Sequence, residues 1–267
     1  HRNSLANIFL RKTMRLTKRN SEILETISKF QSMTGKKIAR LYGLNEKNCQ
    51  RILRLLCNAG YLSKMKVPSV NDGKPPSLFY LSNKGAELLG VKPSKPRLNY
   101  EHTHMQRNVD IIIDIILAIK ETDIMCLVMS EHQIRTQGQE VIPDGVMNLK
   151  RKKKSALFMI ECDYGTEILK STSGHHTDIE NKLNSYLNLF ENNCLAFYEN
   201  HYSQKFNRFR TLFVCSDRNR MNAISHLLTD RPFHFIWLTT LSDLSKKSIL
   251  GNIFYVPSLN KHNLSVI

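Results

Sequence analysis

Two apolar segments with acidic residues at one end, VIPDGVMNLK and SALFMIECDYGTE, leave this chain few possible folds. They are joined by the basic sequence RKKK at 151–154. Their β-branched, aromatic and aliphatic residues predict two strands of a hairpin. If Lys150 pairs with Ser155 across the turn, Asp144 lies opposite Glu161. Side chains at directly opposite positions leave the same face of a sheet, roughly 5 Å apart.

Three carboxylates therefore meet at one point of the predicted hairpin. Glu161 and Asp163 are two residues apart, so they leave the same face of their strand, and Asp144 lies beside them. Like charges this close are destabilising without a compensating cation. Ligation by carboxylate oxygens alone suits Mg²⁺ or Mn²⁺. Asp144, Glu161 and Asp163 are thus predicted metal ligands.

A simpler interpretation is that these acids lie on a solvent-facing strand and that Pro143-Asp144-Gly145 is only a turn. Against it, the run 158–160 (FMI) is apolar on both faces of its strand. That pattern is typical of a central strand covered on each side. Carboxylates at the end of such a strand are expected to serve a function.

The positive charge of the chain is concentrated in its first hundred residues. Of the net charge of +16, residues 1–100 carry +15, from 20 Lys and Arg against 5 Asp and Glu, and residues 101–267 carry +1. A basic module joined to a near-neutral one predicts a polyanion-binding domain attached to a second domain. We place the boundary in the Pro-containing linker 93–99, giving domains 1–98 and 99–267. The six cysteines have no metal-site spacing, and no apolar run has membrane-spanning length, so we expect a cytoplasmic protein without membrane insertion.

The basic part has the order of a winged helix-turn-helix domain. A helical pattern at 20–31 precedes TGKKIARLYGLNEKNCQRILRLLCNAGYL, which predicts a helix, a turn containing Gly43, and a second helix capped by Asn45. Ile52, Leu53, Leu55 and Leu56 supply the apolar positions of that second helix. Two strand-like segments around the turn 71–73 (NDG) follow. Residues 20–90 therefore resemble winged-helix DNA-binding domains.

In such a domain the second helix of the motif enters the major groove. Asn, Gln and Arg can contact base edges, whereas Lys mainly binds phosphates. Winged helices also bind proteins, but the charge favours DNA. The candidate DNA-binding residues are Lys36, Lys37, Lys47, Asn48, Gln50, Arg51, Arg54, Lys64, Lys66 and Lys74.

The second domain predicts the order α-β-β-β-α-β followed by α-β, which packs as a mixed sheet with helices on both faces. With Pro143-Asp144 before one strand and Glu161-x-Asp163 on the next, this order resembles the PD-(D/E)xK nuclease superfamily. The fold class is thus α+β with two domains, a winged helix-turn-helix followed by a mixed-sheet, restriction-endonuclease-like α/β domain. The chain departs from the superfamily where Asp163 occupies the position of its usual lysine. Lys182, on the helical segment NKLNSYLNLF, is the best substitute, although it could equally pair with Asp178 at i−4.

The whole chain resembles the replication-relaxation group of mobile-element proteins, and within it the MobC-type conjugative relaxases. The shared features are the N-terminal winged helix, Pro143-Asp144, the segment 161–167 (ECDYGTE), and the later Lys182 and Tyr186. The resemblance implies a plasmid-encoded endonuclease that nicks one strand of double-stranded plasmid DNA at a transfer origin, using Mg²⁺ or Mn²⁺ and no covalent tyrosine. Asp144, Glu161, Asp163 and Lys182 would be its catalytic set, and an accessory mobilisation or coupling protein a further partner.

Three features leave alternatives open. His102-Thr103-His104 resembles the His pair with which ordinary relaxases bind a metal, if it lies on a strand. The basic turn 151–154 would hold DNA backbone if it faces DNA, or be a solvated turn. Because the usual lysine is missing, a non-catalytic DNA-binding regulator or accessory protein with a decayed nuclease domain is the rival function.

Overall fold

The computed structural model describes residues 16–67, 76–137, 139–170, 178–229, 231–264 and 266. Its contacts divide the chain into two units, His1–Thr103 and His104–Ile267. The two-domain α+β class predicted from the sequence is confirmed. Among the described residues, no helix combines the length and apolarity needed to cross a membrane.

The first unit is a winged helix-turn-helix. Its sheet has the order β1-β3-β2, with both pairs antiparallel. Its core contains fully buried aliphatic side chains from all three main helices, such as Ile23, Ile38 and Leu53. The turn predicted at 71–73 lies outside the described residues. The elements are α1 (Lys18–Lys29), β1 (Met33–Thr34), α2 (Gly35–Tyr42), α3 (Glu46–Asn58), β2 (Leu62–Lys66), β3 (Ser77–Leu81) and α4 (Asn83–Leu88).

The turn between α2 and α3 forms as its sequence predicts. Helix α2 ends at Gly43, whose φ of 62° lies in the left-handed region that glycine adopts without strain. Asn45 caps α3, because its Oδ1 accepts from the Asn48 backbone N–H at 2.8 Å. Leu53 and Leu56 are fully buried, but Leu55 is 44% exposed, because a residue two positions after Leu53 points to the other side of the helix.

The second unit is built on a mixed seven-stranded sheet of order β10-β9-β8-β7-β6-β5-β4. Strands β4, β5 and β6 are antiparallel neighbours, whereas β6, β7 and β8 run parallel. The elements are α5 (Tyr100–Lys120, which begins in the first unit), β4 (Met125–Ser130), α6 (Glu131–Thr136), β5 (Gly145–Arg151), β6 (Lys154–Asp163), α7 (Ile179–Glu191), α8 (Ala196–Tyr202), β7 (Phe209–Cys215), α9 (Arg218–Leu228), β8 (Ile236–Thr240), α10 (Leu241–Lys247), β9 (Phe254–Val256) and β10 (Lys261–Leu264).

Strand β6 is an interior strand, as its apolar run predicts. Phe158, Met159 and Ile160 are each at most 1% exposed. Met159 belongs to a core cluster with Leu183 of α7 and Ile224 of α9. Glu161 and Asp163 follow Met159 on the same face of the strand, which directs both carboxylates toward the side covered by these helices.

The predicted register of the β5–β6 hairpin is confirmed, but β5 and β4 are each shorter than the sequence predicts. Lys150 pairs with Ser155, and the ladder continues to Gly145 opposite Ile160. Strand β5 begins at Gly145 instead of at Val141, so Asp144 lies immediately outside the ladder. The strand predicted over 126–137 ends at Ser130, because Ser130 and Gln133 form a capping box that starts α6.

Candidate active site

Asp144 is held at the start of β5 by two hydrogen bonds to its carboxylate. The Asn108 amide of α5 donates to Oδ1 at 2.7 Å, and the Cys162 backbone N–H of β6 donates to Oδ2 at 2.7 Å. The residue is only 8% exposed. The bond to Cys162 joins Asp144 to the strand position next to Glu161, although the two carboxylates are not a ladder pair.

Glu161 is bound by two side chains of α7. Lys182 Nζ donates to Glu161 Oε2 at 3.1 Å, and the Tyr186 hydroxyl donates to Glu161 Oε1. Lys182 also donates to Glu167 Oε1 at 3.0 Å. One turn of helix separates Lys182 from Tyr186, so both reach the same carboxylate from one face of α7.

Lys182 therefore lies in the acidic cluster. The alternative was an ion pair with Asp178, four residues before Lys182. Asp178 caps α7, because its Oδ1 accepts from the Asn181 backbone N–H at 2.7 Å. The contact with Glu161 is what a substitute for the missing lysine requires, and the catalytic role of Lys182 stays a prediction.

Asp163 has a different partner from the other two acids. The Arg220 guanidinium of α9 donates from Nε to Oδ2 and from Nη2 to Oδ1, the latter at 3.2 Å, in a bidentate pair. The Gly165 backbone N–H also donates to Oδ1 at 3.0 Å, from a residue whose φ of 77° favours glycine. The side chains of Asp163 and Arg220 are 3% and 13% exposed. Both oxygens of Asp163 are thus engaged.

Burial has the largest effect on the pKa values of the acidic cluster. Desolvation, followed by the charge of Glu161, raises the pKa of Asp144 well above its ordinary value. Desolvation also raises the pKa of Glu161, although Lys182 and Tyr186 oppose that shift. Desolvation lowers the pKa of Lys182, but Glu161 and Glu167 outweigh it and the net pKa is raised, so the ammonium stays charged. The site favours any further positive charge placed near Asp144.

Three residues beside Asp144 were not among the predicted ligands. Asn108, His104 and Glu131 come from α5 and α6, and ligand atoms of His104, Glu131 and Asp144 lie within 4.8 Å of one another. His104 and Asn108 are four residues apart on a helix, which is the one signal in the sequence that places them together.

The alternative in which His102 and His104 together bind a metal does not fit the structure. Both residues lie on α5, and positions two apart on a helix point to nearly opposite sides. His102 Nε2 is hydrogen-bonded to the Ser32 hydroxyl at 3.1 Å, whereas His104 faces Asp144. A strand would have put both rings on one face.

Most of the candidate DNA-binding residues that the structure describes are exposed. On α3 the exposed side chains include Asn48, Arg51 and Arg54, and Cys49 between them is buried. The Gln50 amide is exposed but packs over Gly35, where a Cβ would collide with it. Lys36, Lys47, Lys64 and Lys66 are exposed, Lys37 is half-buried, and Lys74 lies outside the described residues.

The basic turn 151–154 is exposed at the opposite end of the hairpin from the acids. Seven residues separate Lys154 from Glu161 along β6, which corresponds to about 23 Å at 3.3 Å per residue. Arg151 forms a surface ion pair with Asp123 at 3.1 Å. Any contact of this turn with DNA would lie well away from a nucleotide bound at Asp144.

The family model described as replication-relaxation matches residues 24–199, more than half of the chain, so the chain belongs to the replication-relaxation family. Membership of this family indicates a role in DNA processing. No curated protein sequence matches the chain.

Three solved structures illustrate the likeness to known folds. The adhesin competence repressor AdcR of Streptococcus pyogenes is 15% identical with a TM-score of 0.25, over 46% of this chain and 75% of that one. The restriction endonuclease FokI is 13% identical with a TM-score of 0.31, over 86% of this chain and 43% of that one. FokI bound to DNA is 12% identical with a TM-score of 0.27, over 86% and 44%. The chain thus spans less than half the length of FokI, and likenesses this distant do not bear on function.

Proposed function

We propose that the chain is a plasmid mobilisation relaxase of the MobC type that acts in the cytoplasm. It is a metal-dependent endonuclease that nicks one strand of double-stranded plasmid DNA at a specific site in a transfer origin. The observation that carries the proposal is the contact of Lys182 with Glu161, beside Asp144, at the end of a central strand. In a chain of the replication-relaxation family, this constellation supports phosphodiester hydrolysis.

The buried acids fit a divalent cation. Burial raises the pKa of Asp144 and of Glu161, and the charge of Glu161 adds to the shift of Asp144. A bound cation would favour the charged form of both carboxylates. Their oxygen donors suit Mg²⁺ or Mn²⁺, which would polarise the scissile phosphate and activate water. Asp144 and Glu161 would hold the ion. Asp163 would join its shell only by giving up a contact with Arg220, so its proposed role is to fix Arg220 beside the site.

The remaining residues act on charge and position. Lys182 places a buried ammonium beside Glu161, where it would stabilise the negative charge that develops on the phosphate. Tyr186 fixes the orientation of Glu161 through the other carboxylate oxygen. Glu167 accepts a second hydrogen bond from the Lys182 ammonium, so the lysine is positioned before substrate binds.

The tyrosines near the cluster support hydrolysis over a covalent tyrosine intermediate. Tyr186 is fully buried and donates its hydroxyl proton to Glu161, and burial followed by the charge of Glu161 raises its pKa well above the ordinary value. Burial also raises the pKa of Tyr164. A neutral, buried hydroxyl is a poor nucleophile.

DNA is the proposed partner of the first unit, with an accessory mobilisation or coupling protein as a further partner. Exposed Asn48, Gln50, Arg51 and Arg54 on α3 would contact base edges. Lys36 and Lys64 would bind phosphates without reading sequence. Affinity would thus come mainly from one unit and cleavage from the other.

Nicking of a supercoiled plasmid that carries the transfer origin of the same replicon tests the proposal. The chain should convert it to open circles with Mg²⁺ or Mn²⁺, and chelation should stop the reaction. Lys182→Met should lower the rate by about 10²–10³-fold, the usual cost of losing one charge-stabilising group. Lys170→Met is the matched control, because Lys170 is an exposed lysine that pairs with Glu180 at 3.1 Å.

The rival function makes a different prediction in the same assay. A DNA-binding regulator with a decayed nuclease domain would bind the origin with unchanged specificity and leave the plasmid supercoiled at every metal concentration. The contact of Asp163 with Arg220, where the superfamily has its lysine, is the observation that favours this rival.

A further inference from the structure

Asp144 lies beside two further side chains that could bind a metal, His104 and Glu131. His104 Nδ1 is 3.8 Å from Asp144 Oδ1. Glu131 also reaches this point, since ligand atoms of the three residues lie within 4.8 Å of one another. Six oxygen or nitrogen ligands about 2.1 Å from one cation are about 3.0–4.2 Å apart. Small side-chain movements would therefore bring all three to one ion.

The position of Glu131 is fixed by backbone structure. It is the first residue of α6, and its backbone N–H donates to the Asp144 carbonyl oxygen at 3.2 Å. One carboxylate oxygen pairs with Arg135 at 2.7 Å, an i,i+4 contact in which the arginine side chain is 62% exposed. Ion pairs of this kind between exposed side chains contribute little to stability, so this pair competes weakly with a metal.

Asn108 provides an independent indication of a ligand. It is 1% exposed, and within the described parts of the chain its Oδ1 has no hydrogen-bond partner. Its Nδ2 lies between Asp144 Oδ1 at 2.7 Å and His104 Nδ1 at 3.1 Å. The amide N–H group thus stands where two electron-pair donors converge. Turning the amide by 180° would present Oδ1 to the same point, so that Asn108 Oδ1, Asp144 Oδ1 and His104 Nδ1 could all be ligands of one cation.

The His104 ring is already oriented for ligation. Because an amide N–H can only donate, His104 Nδ1 accepts from Asn108 and directs its lone pair into the group. The His104 ring packs edge-on against Tyr164, with ring centroids 5.2 Å apart. The Arg107 guanidinium also lies over the Tyr164 ring, with its Cζ 5.4 Å from the centroid. Tyr164 belongs to the same acidic motif as Glu161, so the motif also positions the histidine.

We propose that His104, Asn108, Glu131 and Asp144 form a mixed nitrogen–oxygen site that takes Mn²⁺ in preference to Mg²⁺. The site rests on the proposed function in sharing Asp144 with the nuclease centre. An imidazole nitrogen binds first-row transition metals well and Mg²⁺ poorly, whereas the three oxygen donors keep the site hard enough for Mn²⁺. Glu161, the other ligand proposed for the nuclease ion, provides no such preference because it is a carboxylate.

Mn²⁺ binding to the full chain without DNA tests the proposal. Titration followed by the electron paramagnetic resonance signal of free Mn²⁺ should show a bound ion that Mg²⁺ displaces only at about a hundredfold excess or more. Pulsed spectra should show coupling to a directly bound ¹⁴N nucleus. His104→Gln should weaken Mn²⁺ binding at least about tenfold and remove the ¹⁴N coupling. His104→Asp should keep a bound ion but lose both the nitrogen coupling and the preference over Mg²⁺.

His226→Gln is the matched control, because His226 is an exposed histidine on α9 of the same unit. It should leave affinity and coupling unchanged. Bound Mn²⁺ without ¹⁴N coupling, or coupling that persists in His104→Gln, overturns the site. The experiment distinguishes failure of this site from failure of the nuclease. If Mn²⁺ binds with nitrogen coordination but the chain never nicks DNA, only the proposed function is contradicted. If the chain nicks DNA and neither the wild type nor a His104 variant prefers Mn²⁺, only the mixed site is contradicted.

Discussion

Replacing Asp144 with Asn should remove the metal site without destabilising the second unit. The buried carboxylate carries a charge that both desolvation and Glu161 disfavour, and the amide relieves both costs. The Cys162 backbone N–H can still donate to the amide oxygen, although exchanging a charged for a neutral acceptor loses about 1 kcal/mol. The new amide N–H group can donate to Asn108 Oδ1 once that amide turns. We expect a net gain of about 1–2 kcal/mol at pH 7.5, or about 2–8 °C in melting temperature.

The pH dependence of this difference has a definite sign. The pKa of Asp144 is raised in the folded chain, so the folded state binds more protons than the unfolded state between an unfolded pKa of about 4 and the raised value. Wild-type stability therefore falls as pH rises through that window. Asp144→Asn lacks this group, so its advantage should be small near pH 4.5 and grow toward pH 8.

The single tryptophan makes the assay specific for the second unit. Trp237 lies on β8, so its fluorescence follows the unfolding of that unit alone. Saturating Mn²⁺ should raise the wild-type melting temperature but not that of the variant, since a ligand at 100 times its Kd adds about 2.7 kcal/mol. Asp123→Asn, at a 60% exposed side chain, is the control and should change little. A variant less stable than wild type at pH 7.5, or a difference independent of pH, would refute the reasoning.

Three further predictions follow from named contacts. Asp163→Asn should lower stability of the second unit by about 3–5 kcal/mol, because it leaves the buried Arg220 unpaired, and Asp163→Asn with Arg220→Gln should recover part of that loss in the same Trp237 assay. Lys36→Glu or Lys64→Glu should weaken binding to all duplexes equally and reduce the slope of log affinity against log salt, by about 0.9 per lost phosphate contact, whereas Lys246→Glu should not. Gln50→Ala and Arg51→Ala should relax discrimination by about 1–3 kcal/mol per lost base contact in competition binding, and unchanged selectivity in both would contradict the assignment.

The sequence predicts those parts of the fold that depend on local rules. The register of the hairpin follows from the turn at 151–154, because one pairing fixes all the others. The helix-turn-helix follows from Gly43 and Asn45, each of which has a specific backbone role at a helix end. The central position of β6 follows from an apolar run on both faces of the strand.

The compensation of the acidic cluster could not be predicted in the same way. Repulsion among three carboxylates indicates a need for positive charge, but not its source. Arg220 is 57 residues from Asp163, and only the packing of α9 on the sheet brings the two together. The helical pattern that begins at His104 continues α5, but the sequence does not show that His104 and Asn108 lie beside Asp144. Lys182 can be chosen from the sequence, because it lies on the predicted helix one turn before Tyr186.

Cleavage of an end-labelled transfer-origin duplex, analysed on a denaturing gel before and after removal of protein by phenol, tests the central claim most directly. The account predicts one cut in one strand, dependent on Mg²⁺ or Mn²⁺, with the labelled product free of attached protein. Glu161→Gln should abolish the cut while origin binding is retained, and Glu180→Gln, at a carboxylate that pairs with Lys170 and Arg231 on the surface, should not. A cut that persists in Glu161→Gln, or a product that stays linked to protein, would contradict hydrolysis at this site.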